Sequence, residues 1–233
     1  MPLLSKIKSK VLPLIKTLSG KYPPTRPQIK CAFEYHGTHY GGWTICPNFL
    51  SKDSIVYSFG IGEDISFDLS IIEKYGVNVF GFDPTPKSIE WIYSQKLPKE
   101  FIFFEYGIAD YDGITKFYPP ENKEHVSHTM LHRPSTSEFV ITVDVKKLKT
   151  IMELLGHTKI DVLKMDIEGA EYSIIQDLVN SEIEIKQILI EFHHRFPGVN
   201  ISDTTRAVDS LNKQGYKIFW ISKNGDEYSF TKV

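Results

Sequence analysis

The chain has 233 residues, 41% of them hydrophobic and 24% charged, which is long and apolar enough to bury a substantial core and excludes a disordered or fibrous polymer. A formal net charge of -2 offers nucleic acid no basic footprint, and no stretch approaches the roughly 20 apolar residues that a membrane span needs. Two cysteines, Cys31 and Cys46, are too few and too widely spaced for a disulfide framework or a four-ligand zinc site, so reduced, buried thiols and a cytoplasmic location are expected.

Charge is unevenly placed, because residues 1–33 hold seven Lys/Arg and no acid, leaving 20 basic against 29 acidic residues in 34–233. Leu4, Ile7, Val11, Leu14, Ile15 and Leu18 recur at helical spacing among Lys6, Lys8, Lys10 and Lys16, the pattern of a basic amphipathic helix. Residues 1–20 therefore suit peripheral contact with an anionic inner membrane face. Pro13 interrupts them, which favours docking on the body of the protein or on a second subunit of a homo-oligomer. With KYPPTRP (21–27) as an extended linker, the expected division is helix and linker over 1–27 and one domain over 28–233.

The segment EYHGTHYGGWTICP (34–47) adds His36, His39, Tyr40 and Trp43, aromatics that stack on a sugar ring, close over the cofactor or pack in the core. Strands are then predicted at 54–59, 78–82, 100–106, 139–143, 160–165 and 185–192, alternating with helices at 64–75, 88–95, 146–155, 170–179 and about 202–214. A last hairpin joins YKIFWIS to DEYSFT across Asn224–Gly225. The stretch from about 107 to 138 reads as irregular. Its His125, Ser127, His128 and His132 fit a lid that offers hydrogen bonds to acceptor hydroxyls better than they fit a zinc site, since no cysteine or suitably spaced carboxylate accompanies them.

This alternation predicts an α/β fold whose ligands sit at the carboxyl ends of the strands. Those positions are Gly60, Gly62, Glu63 and Asp64, then Asp83, then Gly107 to Asp110, then Asp166 and Glu168, and finally Glu191, His193 and His194. The loop SFGIGED supplies glycines and a helix N-terminus, and Asp83, about 20 residues on, is placed to accept hydrogen bonds from ribose hydroxyls. A dinucleotide would set its pyrophosphate beside Glu63 and Asp64, where like charges about 4 Å apart cost on the order of 4 kcal/mol per pair. S-adenosylmethionine instead brings an ammonium and a sulfonium. Asp64 is equally suited to capping the following helix.

The blocks VYSFGIGEDISFD, FGFDPTP, IDVLKMDIEGAEYSII and ILIEFHH resemble the FkbM family of S-adenosylmethionine-dependent methyltransferases over about residues 40–221. The resemblance implies a class I methyltransferase, Rossmann-like: a seven-stranded, mostly parallel sheet with an antiparallel last strand and helices on both faces. It implies O-methylation, often of sugars in glycans or glycosylated small molecules. It also implies that Ser58, Phe59, Gly60, Gly62 and Glu63, with Asp64, hold the methionine part, Asp83 and Pro84 the ribose side, and Gly107, Ile108 and Ala109 the adenine, with Asp166 beside the methyl group. Ser58 stands where many relatives carry an acid.

A sugar hydroxyl needs help to lose its proton, and the candidates are Asp166, Glu191, His193 and His194. His193, on the same side as Glu191 if the period of two persists, is the preferred base, with Asp166 as its orienting partner. Asp166, Glu191 and His193 also suit a divalent cation, but no spacing is diagnostic and no metal is assigned. Glu168 and Glu171 are explained by helix-dipole stabilisation in the first turn that follows, and Lys164 by pairing with a neighbouring acid. A short-chain dehydrogenase or epimerase would need a Tyr-x-x-x-Lys pair at the rim, and Tyr228–Lys232 sits in the last strand instead. A non-enzymatic, membrane-associated binding domain is the remaining alternative.

Overall fold

A computed structural model describes residues 23–120 and 128–233. The helix expected over 1–20, with His125 and Ser127, lies outside the described residues. A short hairpin, β1 (Glu34–His36) and β2 (Trp43–Ile45), precedes β3 (Ile55–Phe59), α1 (Ser66–Tyr75), β4 (Asn78–Phe82), α2 (Pro86–Ser94) and β5 (Phe101–Phe104). Next come β6 (Gly107–Ile108), β7 (Gly113–Phe117), β8 (Ile141–Lys146) and α3 (Leu148–Leu155). The chain closes with β9 (Lys159–Met165), α4 (Glu171–Asn180), β10 (Glu184–Glu191), α5 (Ile201–Lys213), β11 (Tyr216–Ile221) and β12 (Glu227–Lys232).

Seven strands form the main sheet in the order β11-β12-β10-β9-β3-β4-β5. β10, β9, β3, β4 and β5 run parallel, while β12 inserts antiparallel between β10 and β11. This is the class I methyltransferase arrangement that the resemblance implied. Strand order reverses at β3, whose neighbours are β4 on one side and β9 on the other, so a crevice opens above their carboxyl ends.

Both faces are covered, which is why the central strands read as nearly continuous apolar runs. On one face Tyr57, Phe59, Leu163, Met165, Ile188 and Ile190 pack with residues of α3, α4 and α5. On the other, Val56, Val79, Val162 and Leu189 pack with Phe67 and Ile71 of α1, Ile92 of α2, and Trp43 and Ile45 of β2. The alternation follows the two-residue period of a strand.

The second face also buries Ser58, Lys164, Gln187 and Ser229. Gln187 accepts a hydrogen bond from the Cys46 N–H at 2.7 Å and donates to the Cys46 carbonyl at 2.9 Å, and the Ser229 hydroxyl donates to the Thr44 carbonyl at 2.8 Å. Buried side chains thus satisfy backbone groups of β2 and seat the β1–β2 hairpin on the sheet. The hairpin holds Tyr40 to Trp43 over the crevice.

Two expectations are corrected. The stretch from 107 to 138 is not irregular throughout: β6, β8 and β7 form a separate three-stranded sheet, with Val143, Val145 and Ala109 as its own small core. The strand predicted at 139–143 belongs there and not to the main sheet. Cys31 and Cys46 are joined as a disulfide and are not reduced thiols, because folding brings their Cα atoms to 6.6 Å across a separation of 15 residues. Among the described residues, no helix is long and apolar enough to cross a membrane.

Candidate active site

Above the carboxyl ends of β3, β4, β9 and β10 lies a cavity of about 330 Å³. Its floor is the loop after β3. Gly60 has φ +76, a left-handed value that a side chain resists, and a Cβ there would lie 1.7 Å from the Asp166 carbonyl oxygen. Lys164 lies beneath the loop, and its ammonium donates to the carbonyls of Phe59 at 3.1 Å and Gly60 at 2.5 Å and sits 5.5 Å from the Trp43 ring centre. The buried lysine is therefore hydrogen-bonded by backbone carbonyls, while the neighbouring acids Asp64 and Asp68, the kind of partner expected from sequence, feel its charge through space. Below it, Asp68 of α1 is fully buried, and burial pushes its carboxyl up to about 6 against the opposing pull of Lys164.

Asp83 ties two loops together. Its carboxylate accepts from the Gly62 N–H at 3.0 Å, the Thr85 N–H at 2.9 Å and the Thr85 hydroxyl at 2.6 Å. A carboxylate has about four acceptor sites, so capacity remains for a ligand hydroxyl. Asp64 accepts from the Ser66 N–H at 2.7 Å and the Thr38 hydroxyl at 2.8 Å, joining the start of α1 to the hairpin. Burial opposes its ionisation, but these hydrogen bonds and Lys164 hold its carboxyl below the ordinary value. Glu63 is partly exposed beside Lys87 at 3.5 Å.

The far end is acidic. Asp166, Glu168, Glu191, His193 and Glu227 all line it, with Tyr40 at the mouth. Glu227 arrives because β12 runs antiparallel: its first residue pairs with Glu191, the last residue of β10. Burial and the charge of Asp166 raise the carboxyl of Glu191, and burial with Asp166 and Asp226 raises that of Glu227. His193 bonds through Nδ1 to Glu171 at 2.7 Å, while its Nε2 faces Glu168 at 3.6 Å and Asp166 at 3.8 Å. Burial alone would lower the imidazole, but Glu171, Asp166 and Glu168 overcome it and push it up to about 10.

The orienting carboxylate of His193 is therefore Glu171, where sequence spacing had pointed to Asp166. Glu171 opens α4, is fully buried, and accepts the Gly169 N–H as well, a task beyond dipole stabilisation. Glu168 adopts φ 54, the left-handed value that non-glycine residues rarely take. His194 turns away to Asp226 at 3.6 Å and does not line the cavity.

Of the residues singled out from sequence, Gly60, Gly62, Glu63, Asp64, Asp83, Pro84, Ile108, Asp166, Glu191, His193, His128 and Trp43 converge on the cavity. Ser58 and Phe59 are buried in β3 beneath it, Gly107 packs on Pro84 and Val145, and Ala109 sits in the small core, so these four support the walls. Lys164, Glu168, Glu227, Thr85, Phe117 and Met130 are among the other residues that line it. Tyr228 and Lys232 do not reach it.

The family model described as the methyltransferase FkbM domain matches residues 54–218. A rat protein, "Probable methyltransferase-like protein 24", is 24% identical over 221 residues, covering 90% of this chain and 52% of its own length. The "Hexuronic acid methyltransferase AglP" of Haloferax volcanii is 26% identical over 133 residues, 56% of this chain and 52% of its own length. The chain thus spans about half the length of these curated relatives. Among solved structures, the Methanococcus jannaschii fibrillarin pre-rRNA processing protein superposes with a TM-score of 0.47 at 13% identity, covering 78% of this chain and 67% of that one.

Proposed function

The chain belongs to the FkbM methyltransferase family, and on that premise we propose that it transfers a methyl group from S-adenosylmethionine to a hydroxyl of a sugar-containing acceptor. One observation carries this reading: a single cavity joins the Gly60–Asp64 loop and Asp83 at one end to Asp166, Glu191 and His193 at the other. In this reading the loop Gly60 to Glu63 receives the methionine part, Asp83 the ribose hydroxyls, and Pro84 and Ile108 one side of the adenine. Residues 28–233 act as the catalytic unit, with the basic segment before them as a contact for a membrane surface or a second copy.

Seven carboxylates line the cavity, Glu63, Asp64, Asp83, Asp166, Glu168, Glu191 and Glu227, against Lys164 and two imidazoles. That balance attracts a cationic donor and repels the phosphates of a dinucleotide. It also favours a neutral hydroxyl over an acidic sugar, although the name of AglP, a hexuronic acid methyltransferase, supports a sugar acceptor in general.

Transfer is an in-line displacement: the acceptor oxygen attacks the methyl carbon, the sulfur leaves as a thioether, and the hydroxyl proton must go to a neighbouring group. Catalysis is mainly positioning, with reacting atoms held roughly 3 Å apart. Asp166, Glu191 and His193 surround the acceptor hydroxyl. The carboxylates of Asp166 and Glu191 and the imidazole of His193, oriented by Glu171, are the groups placed to take that proton. In a thermal melt, S-adenosylmethionine raises the midpoint and NAD does not, because only a ligand of the folded state stabilises it. Stabilisation by NAD alone refutes the assignment. The acceptor class is read by incubating the chain with methyl-labelled donor and a panel of neutral sugars, uronates and glycans; labelling of uronates alone refutes the charge argument.

A further inference from the structure

We propose that Asp166, Glu191 and His193 form a binding site for one divalent cation of the magnesium and manganese class at the acceptor end of the cavity. Each offers one ligand atom, and these atoms lie within 4.8 Å of one another. Ligands about 2.1 Å from a shared ion are some 3 to 4 Å apart, so small side-chain rotations close the set. The sequence offered these three residues as suited to a divalent cation but with no diagnostic spacing; the parallel pairing of β9 with β10 is what brings Asp166, which follows β9, beside Glu191 and His193 at the end of β10.

The second observation is the state of His193. Its side chain is 10% exposed, its Nδ1 is bound to the buried Glu171, and its Nε2 points into the cluster with the nearest carboxylates at 3.6 and 3.8 Å, beyond hydrogen-bond reach. A histidine that ligates a metal characteristically donates its other ring N–H to a carboxylate, which fixes the tautomer and the ring. Glu171 occupies that outer position and is itself fixed by the Gly169 N–H at 3.0 Å.

Charge points the same way. Five carboxylates, Asp166, Glu168, Glu171, Glu191 and Glu227, gather around one imidazole, and the nearby ammonium of Lys164 is directed to the carbonyls of Phe59 and Gly60. Gathering like charges out of water is costly unless a cation joins them. Two carboxylates with one imidazole and no thiolate select a hard or borderline ion. Its remaining coordination positions face the cavity, where adjacent hydroxyls of a sugar or water molecules fill them, and a hydroxyl bound there gives up its proton more readily. Only this last consequence rests on the methyltransferase reading; ion binding itself does not.

The full chain, stripped with chelator and dialysed, is titrated with manganese chloride while the paramagnetic resonance signal of free Mn(II) is followed, without donor or acceptor. One equivalent of ion is expected to disappear from the free signal. E191Q and H193Q each weaken uptake at least tenfold, and E171Q, which acts only through His193, weakens it roughly 10–100-fold. Donor binding, measured calorimetrically in chelator, survives E171Q and shows that the cavity is intact. No uptake at millimolar manganese, or uptake undiminished in both E191Q and H193Q, overturns the proposal. Manganese uptake without donor binding overturns the functional reading and leaves the ion site standing; donor binding without uptake does the reverse.

Discussion

Gly60→Ala tests how the cavity floor is built. The glycine has φ +76, and its added methyl would sit 1.7 Å from the Asp166 carbonyl oxygen, where ordinary contact begins at 3.4 Å. The loop and the strand end must therefore part by about 1.7 Å. The left-handed backbone alone costs on the order of 1–2 kcal/mol. A misplacement of about 1 Å is enough to lower turnover roughly 100-fold, and the same movement drags Gly62 away from Asp83. Gly156→Ala separates the two effects, since that residue has φ +71, caps α3, and would place its methyl with nothing within 4 Å. Calorimetric titration with S-adenosylmethionine is expected to show at least a tenfold loss of affinity for Gly60→Ala and none for Gly156→Ala, while thermal melts show both destabilised. Equal donor affinity in Gly60→Ala and the natural chain refutes the reasoning, as does an equal loss in both variants.

Asp83→Ala removes the acceptor for the Gly62 and Thr85 N–H groups as well as the ribose contact, so most of the donor-induced rise in melting temperature should vanish. Asp68 holds its proton up to about 6 in the folded chain, against 3.8 for the free group. Folding therefore takes up a proton between these values, and stability falls as pH rises through that window by on the order of 3 kcal/mol. Asp68→Asn should remove that fall, read as the difference between the two melting curves from pH 4 to 7. Lys164→Met leaves the Phe59 and Gly60 carbonyls without their ammonium donor and should cost about 3 kcal/mol, visible in urea unfolding, with weaker donor binding at temperatures where the variant stays folded.

The βα order was legible because period and punctuation are local: largely apolar runs of five to eight residues mark β3, β4, β9 and β10, and Gly60, Asp83 and Asp166 punctuate the first three. The rim residues followed from the rule that function lies after parallel strands, which located Asp83, Asp166, Glu191 and His193. What sequence could not show depends on pairing across distance. Glu227 enters the site only because β12 reverses beside β10, and Glu171 reaches His193 only because α4 packs under the loop after β10. Likewise Gln187 reveals its role once β2 lies against it, 141 residues away. The β7 strand was missed since GITKF alternates weakly and packs on a small sheet of its own.

The most direct test of the donor cavity is a crystal structure of the full chain with S-adenosylmethionine. The ribose hydroxyls are expected on Asp83, the methionine part on the Gly60–Glu63 loop, and the sulfonium methyl directed at Asp166, Glu191 and His193. A donor seated outside this cavity, or a nucleotide phosphate resting on the Gly60–Asp64 loop, would contradict the account.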